Sequence, residues 1–270
     1  MSPECELLRR CIPTSKGRPP LRSLNVLVTG AGGGMCQGIN LRLAEPGHTI
    51  ICVDLDAERS EAAAGAVRSA GGKAYAFAVD VTEPDRIKRL HRDIHEKVGG
   101  VQAIVNAVGV LDRKMLLDLD VKSFARVLNI NLTGPFAVIR EFAQDLLDED
   151  WGRIVNISSI AGTTGYPYPS YAASKAGLSN LTRSLLVDFW GTGITVNSVC
   201  PGVVDTQMVI QEVRDQVPDK VPTARIVTPE EIGALIAFLL TDEARSINGA
   251  DLLIDGGATS VFRLFDPRQA

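Results

Sequence analysis

The sequence lacks the features that mark membrane, secreted and nucleic-acid-binding proteins. Its 270 residues contain no apolar run near the ~18 residues that a membrane-spanning helix requires. Residues 1–10 include Glu4 and Glu6 and have no apolar stretch of the kind that a secretory signal needs. The net charge of −4 gives no general attraction to nucleic acid or to anionic membranes. We expect a cytoplasmic protein that binds a small molecule and has neither a membrane nor a nucleic acid as a partner.

Metal ligands are also scarce. The cysteines are odd in number and lie in no metal-ligand spacing, which predicts reduced thiols in the cytoplasm; they are Cys5, Cys11, Cys36, Cys52 and Cys200. Of the three histidines, His91 and His95 stand four residues apart in a charged stretch of predicted helix. A solvated helix face is the favoured interpretation of that pair, so no metal site is predicted.

What the sequence does contain is a regular alternation of strands and helices. Residues 1–22, rich in Arg, Pro and Ser, are predicted to form a flexible extension, and residues 23–270 a single nucleotide-binding domain. Apolar, β-branched runs predict strands at 25–29, 49–53, 73–79, 101–105, 152–157, 194–199 and 251–254. Helical patterns occupy 39–45, 57–70, 84–97, 121–147 with an interruption at 134–135, 171–190 and 229–240, whereas 205–228 shows little pattern. This alternation predicts an α/β fold with a doubly wound, Rossmann-like parallel sheet.

Several polar or small residues stand where the predicted strands end. They are Gly30, Asp54, Asp80, Asn106, Ser159 and Pro201. In a doubly wound parallel sheet, ligands bind at the carboxyl ends of the strands. These residues are therefore predicted to line one site.

The first predicted strand runs directly into a glycine-rich turn. Gly30, Gly32, Gly33 and Gly34 lie within five residues, and a helical pattern follows. Backbone N–H groups in such a turn can approach the pyrophosphate of a dinucleotide at a helix N-terminus, which we favour over a merely flexible turn. The spacing G-x-G-x-x-G fits no register of these glycines.

Asp54 ends the second predicted strand, about twenty residues after the start of the glycine turn. A carboxylate there can accept hydrogen bonds from a ribose diol, and it would repel a 2′-phosphate by a few kcal/mol at ~4 Å. Asp54 therefore predicts NAD, with NADP the less favoured cofactor. In the alternative interpretation Asp54 caps the following helix, although Asp56 could do so instead.

Tyr171 and Lys175 lie four residues apart in a predicted helix and therefore share one helix face. A nearby ammonium favours the phenolate. Lowering a tyrosine pKa from ~10 to neutrality takes roughly 4 kcal/mol, which one cation in a partly desolvated site can supply. The pair would then act as a general acid/base. Without surrounding motifs, a tyrosine packed beside a snorkelling lysine is the commoner arrangement.

Over roughly residues 24–260, the motifs together resemble the short-chain dehydrogenase/reductase family. The family's T-G-x-x-x-G-x-G turn matches Thr29, Gly30 and Gly34, and its acid after the second strand matches Asp54. The remaining matches follow in chain order: the D-V pair at Asp80-Val81, the N-N-A-G segment as Asn106-Ala107-Val108-Gly109, the P-G pair at Pro201-Gly202, and the D-G-G run at Asp255-Gly256-Gly257.

The resemblance implies a catalytic tetrad of Asn131, Ser159, Tyr171 and Lys175. Tyr171 would exchange a proton with the substrate oxygen, and Lys175 would lower its pKa and hold the ribose hydroxyls. Ser159, with Ser158 as the alternative, would hydrogen-bond the substrate oxygen. Asn131 would position a water that links Lys175 to solvent.

The resemblance also implies a nicotinamide cofactor and a homotetramer or homodimer with contacts along 121–147 and 171–190. The cofactor residues it implies are Gly30, Gly33, Gly34, Met35, Asp54, Leu55, Asp80, Val81, Asn106, Ala107, Tyr171, Lys175, Val204 and Thr206. Two departures stand out. Cys36 replaces the last glycine of the family's turn, where a side chain could reshape pyrophosphate binding. The segment Asn106–Gly109 lacks the family's second asparagine.

The favoured function is therefore an NAD-dependent oxidoreductase that interconverts a secondary alcohol and a ketone. One alternative is an NADPH-dependent ketoreductase of a biosynthetic pathway. Another is a nucleotide-sensing protein without turnover. An apolar substrate wall, which favours an uncharged or hydrophobic alcohol, is predicted from the loop 166–169 with Val110, Leu111, Val203, Met208 and Val209.

Overall fold

In the computed structural model, residues 22–207 and 209–261 are described. The predicted extension, apart from Arg22, lies outside these ranges, as do Cys5, Cys11 and Met208, so the extension at 1–22 stays a prediction. Across the described ranges, every helix is too short or too polar to span a lipid bilayer.

Seven parallel strands form one sheet in the order β3-β2-β1-β4-β5-β6-β7. The strands are β1 (Asn25–Thr29), β2 (Thr49–Asp54), β3 (Lys73–Ala78), β4 (Ala103–Asn106), β5 (Trp151–Ile157), β6 (Gly193–Pro201) and β7 (Asp251–Ile254). The order reverses between β1 and β4, because the chain crosses from one half of the sheet to the other. This confirms the predicted doubly wound sheet and places its ligand-binding crevice beside those two strands.

Helices cover both faces of the sheet. They are α1 (Gly34–Ala44), α2 (Ala57–Ser69), α3 (Pro84–Lys97), α4 (Val121–Leu128), α5 (Gly134–Asp148), α6 (Pro169–Ser184), α7 (Gln211–Lys220) and α8 (Pro229–Leu239). Two clusters of buried apolar side chains result, one on each face. Central strands such as β2 are buried at every position, as expected for a parallel sheet covered on both sides.

Three helical predictions differ from the structure. α1 begins at Gly34 rather than at 39, since the glycine turn itself supplies the first helical residues. The predicted interruption at 134–135 lies instead in a π-helical turn, Asn129–Thr133, after which Pro135 occupies the first turn of α5. Proline is tolerated there because the first N–H groups of a helix have no partner within it. α7 lies in the segment that showed little pattern.

The predicted solvated face of α3 holds for His95, which is exposed, but not for His91. His91 is half-buried, and both His91 and His95 hydrogen-bond through Nε2 to the buried carboxylate of Asp145 on α5. Sequence periodicity placed the two histidines on one face but could not show which residue of another helix that face meets.

Candidate active site

The glycine turn is shaped for close backbone approach. Gly30 has φ +67°, and a Cβ there would lie 2.8 Å from the Cα of Val108 in the loop after β4. A Cβ on Gly32 would lie 2.6 Å from the Cβ of Arg59. Gly33 is the N-cap of α1 and has no side chain with which to cap it. The first N–H groups of α1 therefore remain suited to an anion, and the turn fits a pyrophosphate.

Cys36 does not line this turn. Its side chain is 1% exposed and belongs to the apolar cluster beneath α1, and Met35 packs against the same cluster. Burial raises the pKa of the Cys36 thiol to about 12, with the nearby Asp54 charge adding to the rise. Cys36 is thus a neutral core residue, and its substitution for glycine changes packing under the turn rather than the phosphate-facing surface.

Asp54 does not cap the helix that follows it. Its Oδ2 accepts the N–H of Gly32 at 3.0 Å and its Oδ1 the N–H of Asp56 at 3.2 Å. Asp56 caps α2 by accepting from the N–H groups of Glu58 and Arg59. The structure therefore assigns the cap to Asp56 and leaves Asp54 at the end of β2 beside the glycine turn.

A cavity of about 450 Å³ opens over the carboxyl ends of β1 to β4. Predicted cofactor residues that line it are Gly30, Gly33, Asp54, Leu55, Asp80, Val81 and Ala107. Arg59, Thr82, Arg126, Asn129 and Ile130 line it as well, and sequence analysis missed them. Arg59 and Arg126 lie on helices. The sequence analysis selected residues that follow the predicted strands, so it had no means of identifying residues on helices. Among the described residues, the lining includes neither Ser159 nor Tyr171.

The other predicted cofactor residues lie around this cavity. Thr206 packs over the turn, since a Cβ on Gly34 would lie 3.5 Å from the Cβ of Thr206. Val204 is half-buried and forms an isolated parallel β-bridge with Val227. Asn106 lies beneath the cavity and donates from Nδ2 to the Oδ1 of Asn156 at 3.0 Å.

Asn106 and its neighbour Thr29 leave polar atoms without a partner. The Oδ1 of Asn106 and the Oγ1 of Thr29 are both buried without a hydrogen-bond partner, and the two residues are register partners on β1 and β4. A buried polar atom without a hydrogen-bond partner lowers the stability of the folded protein. Neither residue lines the cavity, whereas the glycine turn and the Asp54 carboxylate do, and these fit a polar dinucleotide at this edge of the sheet.

The π-helical turn positions Asn131. Gly134 donates its N–H to the carbonyl of Asn129, five residues back, and this wider turn directs Asn131 inward. Asn131 accepts the N–H of Val110 at 2.8 Å and donates to the Val110 carbonyl at 2.9 Å and to the Oγ of Ser174 at 3.0 Å. Asn131 therefore joins the loop after β4 to α6, close to Lys175. π-helical turns often occur at functional sites for this reason.

The two serines after β5 have different surroundings. Ser158 donates to the carbonyl of Lys175 at 2.9 Å and accepts from the Oγ of Ser179, so it anchors α6. Ser159 accepts the N–H of Ala161 at 3.1 Å, and its hydroxyl lies close enough to Tyr171 to act on the pKa of the phenol. Of the two candidates, Ser159 is the one next to the tyrosine hydroxyl.

Tyr171 and Lys175 share a face of α6, as predicted. The Nζ of Lys175 lies 5.8 Å from the ring centroid of Tyr171 and donates to the carbonyl of Ile157 at 2.7 Å. The predicted lowering of the tyrosine pKa is not observed: burial raises the pKa of Tyr171, partly offset by the hydrogen bond with Ser159. Burial instead lowers the pKa of Lys175 to about 8. Desolvation by burial is the largest cause of both shifts.

Aromatic side chains flank Tyr171 on the predicted substrate side. The ring of Tyr166 lies 6.0 Å from that of Tyr171 and 5.7 Å from that of Tyr168. The charge of Arg113 also acts on Tyr166, and sequence analysis did not identify this cation. Two tyrosines of the predicted wall thus lie near Tyr171, with one positive charge acting on Tyr166, and the apolar wall as a whole stays a prediction.

Comparisons with known proteins agree with this geometry. A family model described as Enoyl-(Acyl carrier protein) reductase matches residues 30–259. An acetoacetyl-CoA reductase of Allochromatium vinosum is 35% identical over 86% of this chain and 96% of its own. A meso-2,3-butanediol dehydrogenase of Serratia marcescens is 32% identical over 87% of this chain and 94% of its own. A solved gluconate 5-dehydrogenase of Burkholderia cenocepacia, in complex with NADP and tartrate, has a TM-score of 0.84 and 27% identity, covering 90% of this chain and 97% of its own.

The burial of Cys36 generates one prediction. Cys36→Gly should lower the free energy of unfolding by about 1–3 kcal/mol, because it removes a buried side chain and adds helix-interior glycine. The Kd for NAD should stay within about twofold, measured by calorimetry beside a chemical denaturation curve. Cys36→Ala, which keeps helix propensity, is the control and should lose less stability. A tenfold tighter Kd in Cys36→Gly would mean that the side chain crowds the phosphate site after all.

The buried ammonium of Lys175 generates a second prediction. Each unit of pKa corresponds to about 1.4 kcal/mol, so the lowering from 10.5 to about 8 corresponds to roughly 3 kcal/mol of lost stability below pH 8. The unfolded chain keeps its proton up to 10.5, so this penalty fades as pH rises from 8 to 10.5. Lys175→Met should therefore be more stable than the parent at pH 7, by at most roughly 3 kcal/mol.

Denaturation curves at pH 7, 8.5 and 10 would test this, because other groups cancel in the difference between parent and variant. The advantage of Lys175→Met should shrink at each step. A difference that stays constant with pH would show that Lys175 is not desolvated in the folded protein.

Proposed function

The chain belongs to the short-chain dehydrogenase/reductase family, and we propose that it is an NAD-dependent enzyme in which Tyr171 exchanges the proton. Its relatives place it among oxidoreductases that act on alcohol and keto groups with a nicotinamide cofactor. The roles of individual residues and the preference for NAD are our proposals.

One observation carries the catalytic assignment. The hydroxyl of Ser159 lies near that of Tyr171 and lowers its pKa against the effect of burial, and the buried Lys175 lies one helical turn away on the same face. A substrate oxygen that meets both hydroxyls would be polarised by Ser159 and would exchange a proton with Tyr171. The bound nicotinamide would supply or accept the hydride.

Lys175 and Asn131 support that proton transfer. The ammonium of Lys175 is held by the carbonyl of Ile157 and stabilises negative charge as Tyr171 gives up its proton. Asn131 fixes the backbone of Val110 on one side of the ammonium and Ser174 on the other. We propose that this frame also holds a water that connects Lys175 to solvent.

Tyr171→Phe tests the assignment. Removing the proton donor should lower kcat by about 10³-fold while leaving the Kd for NAD within a few-fold, because general acid/base catalysis contributes on the order of 10²–10⁴. Tyr166→Phe is a matched control, since Tyr166 stacks against Tyr171 but has no proposed part in proton transfer. Turnover of a panel of secondary alcohols, followed by NADH absorbance, gives the rates. Parent-level activity in Tyr171→Phe would rule out the mechanism, and absence of turnover in the parent with intact NAD binding would favour a nucleotide sensor.

The preference for NAD rests on Asp54. Its carboxylate lines the cavity and is fixed by two backbone N–H groups, so it is oriented to accept from a ribose diol. At an effective dielectric of about 20, a phosphate charge ~4 Å away would be repelled by about 4 kcal/mol, and solvent would reduce that figure. We propose that this repulsion selects NAD over NADP.

NADP is the second candidate because of Arg59. Arg59 lines the same cavity, and its Nη2 donates to the carbonyl of Gly32 at 3.1 Å. A guanidinium at this position could pair with a 2′-phosphate. The gluconate 5-dehydrogenase that this fold resembles is in complex with NADP, so the two charges at this end of the cavity make opposite predictions.

The kcat/KM values for the two cofactors decide between them. The parent should favour NAD by at least about tenfold, which corresponds to roughly 1.4 kcal/mol. Asp54→Asn should reduce that ratio at least tenfold, whereas Arg59→Gln should change it little. A parent that favours NADP, and that loses the preference in Arg59→Gln, would establish the second candidate.

The substrate class follows from the aromatic side chains near Tyr171. Tyr166 and Tyr168 favour an uncharged secondary alcohol as substrate. Turnover of acidic or CoA-linked compounds alone would instead indicate that Arg113 binds the substrate.

Cellular location and assembly remain predictions. Cell fractionation would check the predicted cytoplasmic location. Self-association also remains a prediction, supported by the exposed side chains of Val187 and Trp190 after α6, and light scattering that gave a monomer would refute it.

A further inference from the structure

A second polar cluster lies away from the candidate active site. It consists of His91 and His95 on α3 and Asp145 on α5, and we refer to it as the histidine cluster. Asp145 accepts the N–H of Val101 at 2.9 Å, just before β4 begins. The cluster is therefore at the amino edge of the sheet, whereas the cavity and the tetrad lie at the carboxyl edge.

The ligand atoms of this cluster already converge. The Nε2 of His91 lies 2.8 Å and the Nε2 of His95 3.0 Å from the Oδ1 of Asp145. All three ligand atoms lie within 4.8 Å of one another. Asp145 is buried, His91 is half-buried, and His95 reaches solvent, so the cluster has an anchored base and an open side.

We propose that the histidine cluster binds a divalent transition-metal ion, with Zn²⁺ the best match. Two histidines four residues apart on one helix face are a common pair of zinc ligands, and a carboxylate completes a three-residue set that leaves a position for water. Zinc lies about 2.0–2.2 Å from such N and O atoms, so ligand atoms in a tetrahedron are about 3.3 Å apart. The two spacings between histidine nitrogen and carboxylate oxygen, 2.8 and 3.0 Å, need to open by only a few tenths of an ångström, and the two histidine nitrogens lie within 4.8 Å of each other.

Glu141 provides the supporting interaction that such a site needs. Its Oε1 lies 3.9 Å from the Nδ1 of His91, the ring nitrogen that faces away from Asp145. An ion bound at Nε2 uses the lone pair of that nitrogen, so the single ring proton of a neutral His91 is then on Nδ1. Glu141 is placed to accept a hydrogen bond from that N–H after a small approach, in the carboxylate–histidine–metal arrangement that fixes ligand orientation.

The site joins two helices rather than taking part in the reaction. α3 and α5 flank the same face of the sheet, and the ring of His91 also packs edge-on against Phe142 on α5 at 4.8 Å. A bound ion would link α3 to α5 and stabilise the fold by mass action. Because the tetrad lies at the other edge, metal binding can be tested without reference to turnover.

Cobalt is the probe, since Co²⁺ reports its own geometry. Full-length protein without a histidine tag would be titrated with CoCl₂ and followed by visible absorption and calorimetry. We expect one equivalent bound with the intense d–d bands of a four- or five-coordinate site. At 100-fold excess of Zn²⁺ over its Kd, Tm should rise by roughly 5 °C.

Variants locate the ion. His95→Ala should weaken Co²⁺ binding at least tenfold, and because His95 is exposed the fold should be retained. Asp93→Ala is the matched control, since Asp93 is exposed on α3 outside the cluster, and its Kd should equal that of the parent. Asp145→Asn should also weaken binding while keeping an oxygen for Val101.

Three outcomes would overturn the proposal. One is equal Kd in the parent and His95→Ala. Another is the weak d–d absorption of fully hydrated, octahedral Co²⁺ with no rise in Tm. The third is thiolate-to-cobalt charge-transfer absorption, which would assign the ion to the cysteines.

Discussion

The burial of one ammonium group organises the part of this molecule that holds the proposed tetrad. Lys175 is 4% exposed, and its charge is held against the carbonyl of Ile157 at the end of β5. Burial opposes that charge, as the lowered pKa of about 8 shows, so the surrounding structure must keep the side chain in place. Ser158 does so by bonding the Lys175 carbonyl, and Gly109 leaves room for the ammonium, because a Cβ there would lie 3.3 Å from Nζ. The stability lost here is the usual cost of a preorganised site.

A network of buried polar side chains joins the strands and the helix around Lys175. Asn106 bonds Asn156, Asn156 bonds Thr182, and Thr182 bonds Ser198, so β4, β5, α6 and β6 are joined by side chains as well as by packing. Buried polar networks of this kind help to specify one arrangement of their elements, although the Oδ1 of Asn106 has no partner in this one. Asn106 is fully buried and is not among the residues that line the cavity. The network therefore holds the strand ends beside the cavity without facing it.

Sequence reasoning succeeded where the determining interactions are local. Strand alternation, the glycine turn and the four-residue spacing of Tyr171 and Lys175 depend on periodicities of the backbone, and the sheet and shared helix face follow from them. Sequence reasoning failed where the environment of a side chain depends on residues from another helix or strand. The pKa of Tyr171 depends on its burial in the fold, and the burial of Cys36 depends on the core beneath α1. The position of Arg59 at the cavity depends on the packing of α2 against the glycine turn.

The two histidines of α3 are a second case in which a residue from another helix decides what a sequence pattern can do. Their spacing is as regular as that of Tyr171 and Lys175, and their surroundings in the sequence are more polar, so a solvated face was the reasonable expectation. Asp145, more than fifty residues further along the chain, converts that face into a convergent set of donors. A four-residue spacing predicts only that two side chains share a direction. What the two side chains can bind depends on the charge and burial of the residue that the fold places opposite them. For Tyr171 and Lys175, at the carboxyl edge of the sheet, that residue is Ser159. For His91 and His95, at the amino edge, it is Asp145.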